Sequence, residues 1–314
     1  MVGRPKIRSG VVEATQGGGL YFSSPKKNYQ FISTGCTVLD CVLGGGWALG
    51  HIANIVGDKS TGKTLLAMEA IANFFLAYDN GWVRYVQAEG AAFDEDYANA
   101  LGIPMDRVEI KNEIDTVEAV FDDLSSLHSK TPGLYIIDSL DALSDEAEMG
   151  RGIRDGSFGA AKAKKLSELF RRLVRKLGKQ NVCVIVVSQV RDSIGVTFGE
   201  KHSRSGGKAL DFYCSQILWL AHIKTLKRTI TKVERPIGVT VRARCKKNKI
   251  GLPFRQCDFN IRFGYGIDDI PASTEFLSSV GKAAPKTPEA LREAVIREWY
   301  VVEKRFLPEK RKYV

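Results

Sequence analysis

Residues 57–64 place two glycines, a lysine and a hydroxyl side chain in one short segment with the spacing G-x-x-x-x-G-K-[ST]. An apolar run from His51 precedes this segment, and a helical pattern from Leu65 to Tyr78 follows it. Backbone N–H groups beside such glycines can face phosphates, the lysine reaches the outer phosphates, and the hydroxyl can ligate Mg2+. The pattern predicts a nucleotide-phosphate site that comprises Gly57, Asp58, Lys59, Ser60, Thr61, Gly62, Lys63, Thr64 and Leu65.

Two carboxylates end other apolar runs and could complete this site. The run LYII leads directly into Asp138, and the run VRYVQAE ends at Glu89. Ligands of open α/β sheets bind where the carboxyl ends of the strands meet. We therefore expect Asp138 to hold Mg2+ together with Thr64, and Glu89 to orient or activate an attacking water. The alternatives are an ordinary Asp138 that caps a turn and a Glu89 that is a plain surface acid.

The elements that must position these residues follow from hydrophobic patterning. Four apolar runs of strand length alternate with helix-length segments between His51 and Gln189. Such alternation predicts an α/β fold with a mostly parallel sheet and helices on both faces. After Ser215 the strand-like segments SQILWLAHI, VTVRARCKK and FRQCDFNIRF are separated by turn signals, which predicts antiparallel additions to the sheet.

Composition divides the chain into three parts. Residues 1–30 are rich in Gly, Ser, Lys and Arg and predict a flexible basic N-terminal arm. Residues 31–269 carry the predicted ATPase core. Residues 270–314 combine a predicted linker, up to Pro288, with a short C-terminal helical segment.

The overall composition limits the class of protein and of partner. Of 314 residues 44% are apolar, which excludes disorder throughout, and the longest apolar run, VCVIVVS, is too short to span a bilayer. The six scattered cysteines form no C-x-x-C pair and are expected to be reduced. These features predict a soluble cytoplasmic protein. The net charge of +10 favours a polyanionic partner, with a merely solvated basic surface as an equal alternative.

From Phe31 to about Asp268 the sequence resembles the RecA-type recombinases through motifs that occur in a fixed order. These are FISTGCTVLDCVLGGGWALGHIANIVG, the phosphate motif, VQAE at Glu89, LYIIDSLDAL at Asp138, SQVRDSIGVTFG, SGGKALDFYCS, KKNKIGLPF and FGYGI. The resemblance implies a RecA-like P-loop core with ATP and Mg2+ as cofactors and Glu89 as the catalytic carboxylate. The family's long N-terminal helix and globular C-terminal domain are not evident, and so compact a chain would suit a phage or other mobile element.

The resemblance also implies roles for residues away from the phosphate motif. Gln189 would sense the terminal phosphate of ATP, while Asp94 and Tyr97 would contact the adenine. Lys247 and Lys249 would reach across a subunit interface to the ATP of a neighbour, so that the active site exists only in the assembly. A basic strand end exposed to water is the alternative for these two lysines.

A polar, glycine-rich segment, RDSIGVTFGEKHSRSGG, contains apolar residues without an evident core to join. Such side chains can wedge between bases, while cations contact phosphates and glycine N–H groups allow close approach. The resemblance implies that residues 188–207 form a mobile DNA-binding loop, and that a basic helix after residue 157 also lines the DNA path. The predicted DNA-binding residues are Lys164, Arg171, Arg172, Arg191, Ile194, Gly195, Val196, Phe198, Arg204, Gly206, Gly207 and Lys208. A disordered surface loop is the alternative.

Taken together, the motifs favour a DNA-dependent ATPase that assembles on single-stranded DNA as a helical filament. Such a protein would pair the bound strand with homologous duplex DNA and exchange strands. One alternative is a RecA-fold ring ATPase of the helicase or RadA kind. Another is a structural single-stranded DNA binder that uses ATP only as a conformational ligand. No membrane partner is expected.

Overall fold

The computed structural model describes residues 29–90, 93–127, 130–150, 159–192, 202–204 and 207–308. The helices and strands within these residues, in chain order, are β1 (Phe31–Ile32), α1 (Thr37–Leu43), β2 (Trp47–Ala48), β3 (Ile52–Gly57), α2 (Lys63–Ala77), β4 (Trp82–Gln87), α3 (Glu95–Ala100), β5 (Val108–Lys111), α4 (Val117–Ser126), β6 (Gly133–Asp138), α5 (Glu146–Met149), α6 (Gly159–Gln180), β7 (Val182–Asp192), β8 (His202–Arg204), α7 (Gly207–Tyr213), β9 (Gln216–Ile230), β10 (Val233–Asn248), β11 (Gln256–Arg262), β12 (Gly266–Asp268), α8 (Asp269–Ser279) and α9 (Pro288–Phe306).

One mixed sheet forms the centre of the molecule. Its strand order is β12-β11-β10-β9-β3-β7-β6-β4-β5, and β8 pairs with β7 outside this path. The strands from β9 to β5 in this order run parallel to their neighbours. Strands β10, β11 and β12 are added antiparallel at one side. The predicted α/β fold with antiparallel additions is therefore confirmed.

Hydrophobic cores lie on both faces of this sheet, as a parallel sheet requires. Strand β6 shows how the sequence divides between them, because side chains alternate along a strand. Leu134 and Ile136 join the core that includes α1 and α2, whereas Tyr135 and Ile137 join the core that includes α4 and α6. The near-continuous apolar strands of the sequence therefore bury both of their faces.

The segment that was expected to be a linker, 270–288, contains most of helix α8, so this part of the prediction was wrong. The Pro, Ser, Gly and Ala residues of this segment are typical of a linker, but Pro271 lies in the first turn of α8, where proline is tolerated. Leu277 is fully buried. The carboxylate of Asp269 accepts hydrogen bonds from the backbone N and the hydroxyl of Thr37, both at 2.7 Å. Helix α8 thus packs against the core, and α9 packs on α8 and α1.

Strands β9 and β10 extend as a hairpin well beyond the strands that flank them in the sheet. The sequence predicted strands that end near Ile223 and begin near Val239, but β9 continues to Ile230 and β10 begins at Val233. The two-residue turn between them has φ of +48° and +67°, both positive as in a type I′ hairpin turn. Most of the side chains in this outer part are exposed, so hydrophobic patterning could not reveal it.

All six cysteines are buried and none forms a disulfide. Burial raises the pKa of the Cys36 and Cys183 thiols, which keeps them protonated. Among the helices that the structure describes, none combines the length and the apolar character needed to cross a bilayer.

Candidate functional site

The carboxyl ends of four parallel strands bring the predicted catalytic residues to one edge of the sheet. Gly57 at the end of β3 pairs with Gln189 on β7. Gln87 at the end of β4 pairs with Asp138 at the end of β6. These four strands are adjacent and parallel in the sheet. The segments that follow them therefore emerge at the same edge.

The shape of the phosphate loop depends on its glycines. Gly62 has φ of +83°, and a Cβ on this residue would lie 2.4 Å from the Cδ1 atom of Ile261. A Cβ on Gly57 would lie 2.4 Å from the Oγ1 atom of Thr61. Helix α2 begins directly after Gly62, so its first N–H groups and its dipole face the loop. The loop therefore has the geometry of an anion site.

Lys63 lies in the centre of this site. Its ammonium group donates a hydrogen bond to the carbonyl oxygen of Asp58 at 2.7 Å. Partial burial lowers the pKa of Lys63, while the carboxylates of Asp138 and Glu89 oppose this shift. The lysine is thus a cation held between the phosphate loop and two acidic side chains.

Asp138 and Thr64 are oxygen donors suited to a hard cation. Asp138 is buried, and the Thr64 hydroxyl lies beside its carboxylate as a donor. Burial raises the pKa of Asp138, while hydrogen bonds from Tyr85 and Thr64 lower it. Within the described residues no cluster of three or more His, Cys, Asp or Glu side chains forms a protein-only metal site. This donor set fits Mg2+, which commonly shares few protein ligands with substrate phosphates.

The carboxylate of Glu89 contacts the ends of two further strands. Its Oε1 atom accepts hydrogen bonds from the Ser139 hydroxyl and, at 2.9 Å, from the Nε2 atom of Gln189. The backbone N of Gln189 donates to the carboxylate of Asp141 at 2.8 Å. The predicted catalytic carboxylate and the predicted phosphate sensor are therefore in direct contact.

Three residues of this edge escaped the sequence analysis, namely Tyr85, Ser139 and Asp141. Ser139 and Asp141 closely follow Asp138, so the end of a strand next to a phosphate motif could have drawn attention to them. Tyr85 precedes Glu89 by four residues and was treated as part of an apolar run. Only the pairing of β4 with β6 brings its hydroxyl to Asp138, at 2.6 Å.

The two predicted adenine contacts lie at the start of helix α3. Asp94 caps this helix, and its carboxylate accepts a hydrogen bond from the backbone N of Tyr97 at 2.8 Å. The Tyr97 ring is half-buried against the core that includes α2. Both residues therefore have a fixed place after β4, and a contact with a base remains a prediction.

Lys247 and Lys249 lie far from the phosphate loop of their own chain. Ile217 pairs with both Asn54 and Lys247, which places Lys247 two strands away from β3. Asn54 precedes Gly57 by three residues on β3. Lys247, which is level with Asn54, is therefore also displaced by roughly 10 Å from Gly57 along the strand direction. Both ammonium groups donate to the carbonyl oxygen of Phe212, at 3.1 Å for Lys247 and 3.3 Å for Lys249. They lie at the carboxyl end of α7, where the helix dipole favours cations.

Only the base of the predicted DNA loop lies within the described residues. Strand β7 continues through Asp192 and pairs antiparallel with β8, so the loop rises from a two-stranded ribbon. The expectation of a loop from residue 188 onward was therefore wrong for residues 188–192 and 202–204, which lie in β7 and β8. The backbones of Arg191 and Arg204 lie on β7 and β8, while Gly207 and Lys208 begin helix α7. The predicted contacts outside the described residues are Ile194, Gly195, Val196, Phe198 and Gly206.

The predicted basic helix is α6, and its three candidate residues differ in their surroundings. Lys164 is exposed near the amino end, and Arg171 is exposed about 10 Å farther along the axis. The guanidinium of Arg172 forms an ion pair with Glu168 at 2.5 Å and lies 5.4 Å from the centre of the Phe121 ring. Arg172 is thus already engaged within its own chain, whereas the other two side chains face solvent.

Comparison with known families agrees with the fold described above. A family model described as the RecA N-terminal domain matches residues 17–268. The protein RecA of Prochlorococcus marinus is 35% identical over 246 residues, which cover 78% of this chain and 63% of that relative. The protein RecA of Rippkaea orientalis is 38% identical over 239 residues, which cover 76% of this chain and 66% of that relative. The chain thus spans less than two thirds of the length of these relatives.

A solved structure shares the fold at lower sequence identity. The crystal structure of the RadB recombinase matches with a TM-score of 0.56 and 22% identity. The match covers 76% of this chain and 99% of that chain. At this identity the likeness establishes the fold alone.

Proposed function

The chain belongs to the RecA family, and we propose that it is an ATP-dependent recombination protein that assembles on single-stranded DNA and exchanges strands with homologous duplex DNA. The observation that carries this proposal is the contact between Glu89 and Gln189. One residue of this pair is the candidate catalytic carboxylate, and the other lies on the strand that leads into the ribbon beneath the DNA loop.

This contact gives a physical route between nucleotide and DNA. Gln189 is fixed at its backbone by Asp141, but its side-chain amide can donate either to Glu89 or to a terminal phosphate. A change of partner at Gln189 would move or order the segment that begins two residues later. In this way ATP would favour the DNA-binding arrangement of the loop, and DNA would favour the reactive arrangement of Glu89.

The remaining residues of the edge have distinct roles in hydrolysis. The phosphate loop and Lys63 bind and orient the phosphates, and Glu89 orients the attacking water and accepts its proton. Thr64 and Asp138 would hold Mg2+, which neutralises charge on the transferring phosphoryl group when bound. Ser139 keeps the Glu89 carboxylate directed into the site.

The position of Lys247 and Lys249 supports an active site that is shared between subunits. Both lysines lie too far from Lys63 of their own chain to stabilise charge on the ATP bound there. Their ammonium groups contact the end of α7, which directly follows the DNA loop. In an assembly, the same two cations would approach the ATP of a neighbour and stabilise its developing charge. DNA binding would then affect each ATP through Gln189 of the subunit that holds it and through the two lysines of the neighbour.

A strand-exchange assay tests this proposal directly. A labelled single strand is incubated with protein and ATP, and then with a duplex that is either homologous or unrelated in sequence. We expect exchange only with the homologous duplex, and none with Lys63→Ala. Binding of the single strand without any exchange would favour the structural binder, and ATP-driven unwinding of both duplexes would favour a ring motor.

A further inference from the structure

The side chain of Tyr85 connects two parts of the nucleotide edge that the proposed roles leave separate. Its ring is buried in β4, at 3% exposure, and its hydroxyl donates to the Oδ2 atom of Asp138 at 2.6 Å. Tyr85 pairs with Ile136, two residues before Asp138, so both side chains lie on the same face of the sheet. The contact therefore follows from the register of two central strands.

This hydrogen bond limits how the Asp138 carboxylate can turn. The Thr64 side chain is one hydrogen-bond donor to this carboxylate, and the Tyr85 hydroxyl is a second. Charge-assisted bonds of this length are among the stronger hydrogen bonds in proteins. A carboxylate has about four acceptor positions, so two donors fix its orientation and still leave positions for a metal-bound water.

The ring of Tyr85 makes the second connection. It packs edge-to-face on Phe93, with ring centroids 4.9 Å apart. The backbone N of Phe93 donates to the side-chain oxygen of Gln87 at 3.0 Å, which ties the segment after β4 to the end of the strand. Phe93 directly precedes Asp94, the cap of α3 and a predicted adenine contact. One side chain thus touches both the metal-binding carboxylate and the base-binding segment.

We propose that Tyr85 is a positioning residue that holds Asp138 in the orientation required for Mg2+ and holds Phe93 in the position required for the base. This inference rests on the proposed function, because it assigns a role at the same nucleotide site. The hydroxyl positions Asp138 for the metal, and the ring positions Phe93 for the base. The two halves of the role can therefore be separated by substitution.

The first test removes only the hydroxyl, in Tyr85→Phe. Binding of a fluorescent ATP analogue is measured against Mg2+ concentration and in EDTA, and bound Mn2+ is followed by electron paramagnetic resonance with a non-hydrolysable analogue. We expect the Mg2+ concentration at half-saturation to rise roughly ten-fold, since a hydrogen bond to a charged group is lost. Binding in EDTA should be unchanged, because the ring remains.

Tyr135 provides a matched control on the opposite face of the sheet. It is a buried tyrosine whose hydroxyl donates to the carboxylate of Asp123 at 2.8 Å, on the side of α4. Tyr135→Phe removes the same group from the neighbouring strand β6 and should leave the Mg2+ requirement at the native value. An equal shift in both variants would mean a general loosening of the sheet and would overturn the inference.

Tyr85→Leu tests the role of the ring. We expect it to weaken binding of the nucleotide in EDTA as well, by several-fold, because Phe93 loses its aromatic neighbour. If this variant does not fold, Tyr85→Phe still decides the role of the hydroxyl. Native protein that fails to bind Mg2+ and ATP would contradict the proposed function, whereas native binding with an unaltered Tyr85→Phe would contradict only this inference.

Discussion

The nucleotide edge and the outer part of the β9–β10 hairpin are built in opposite ways. At the nucleotide edge, buried strands end in side chains that contact one another across the sheet, such as Glu89, Ser139 and Gln189. In the outer hairpin, Ile223, Ile230 and Val233 are between 42% and 59% exposed, and pairing of the two backbones maintains the shape. Packing on both faces fixes side-chain geometry in the first region, and a ladder of backbone bonds fixes only the path of the chain in the second.

This difference predicts where substitutions will have large effects. A side chain at the nucleotide edge has fixed neighbours, so its removal disturbs a defined geometry. A side chain of the outer hairpin faces water, so its removal changes little apart from charge. Strand β10 belongs to both kinds of region, because it begins at Val233 in the exposed hairpin and ends at Asn248 inside the sheet.

The largest effect is expected at the inner end of β10, for Lys247→Ala. If Lys247 stabilises charge on the ATP of a neighbour, DNA-stimulated hydrolysis should fall on the order of 100-fold. Mixing this variant with Lys63→Ala should restore part of the rate, because each mixed interface can combine one intact lysine with one intact phosphate loop. The measurement is the hydrolysis rate against mixing ratio on single-stranded DNA.

Lys246 is the matched control for this experiment. Its ammonium group lies 3.6 Å from the centre of the Trp219 ring, whereas that of Lys247 lies at the carboxyl end of α7. Lys246→Ala should retain most of the DNA-stimulated rate. No rescue in the mixture, or an equal loss in Lys246→Ala, would contradict a shared site.

The next effect is expected at Gly62, where the loop requires a positive φ. Gly62→Ala would place a Cβ against Ile261 and force an alanine into the left-handed region, which costs about 1–2 kcal/mol. We expect roughly ten-fold weaker nucleotide binding by titration, since one tenfold step corresponds to about 1.4 kcal/mol. Gly281→Ala is the control, because Gly281 has φ of +72° and open space around its Cβ position. It should lose stability but keep the native nucleotide affinity.

The fold and the assembly of the nucleotide edge were largely predictable, because the phosphate loop, Glu89 and Asp138 each come at the end of a strongly apolar strand. The contacts of Tyr85 and Asp141 were not predictable, since they depend on which strands are neighbours and in what register. The extra length of β9 and β10 was not predictable either, because an exposed hairpin has no hydrophobic period. Helix α8 was missed because Pro271 occupies a first turn rather than a break. The roles of all the predicted site residues stay predictions.

A smaller effect, on DNA binding, is expected at helix α6, and it should differ between two of its basic residues. Arg171 faces solvent, whereas Arg172 is engaged by Glu168 and Phe121. Arg171→Ala should weaken single-stranded DNA binding a few-fold at every sequence and reduce the slope of log affinity against log salt by about 1. Arg172→Ala should change the slope less. The same change in slope for both variants would mean that the internal contacts of Arg172 do not restrain it.

The smallest effect is expected at the tip of the hairpin. Lys232 has φ of +67°, a conformation that glycine adopts without strain. Lys232→Gly should raise the free energy of unfolding by about 0.5–1 kcal/mol, as measured by denaturant titration, and leave ATP binding unchanged. A loss of stability would mean that the lysine side chain, and not the backbone turn, maintains the tip.

The central claim is that one edge of the sheet couples ATP to DNA. Its most direct test is the rate of ATP hydrolysis with and without single-stranded DNA, for the native protein and for Lys63→Ala. The account predicts strong stimulation by DNA in the native protein and no hydrolysis above background in the variant. DNA binding by the native protein without any stimulation would contradict it, because Glu89 and Gln189 would then not connect the two sites.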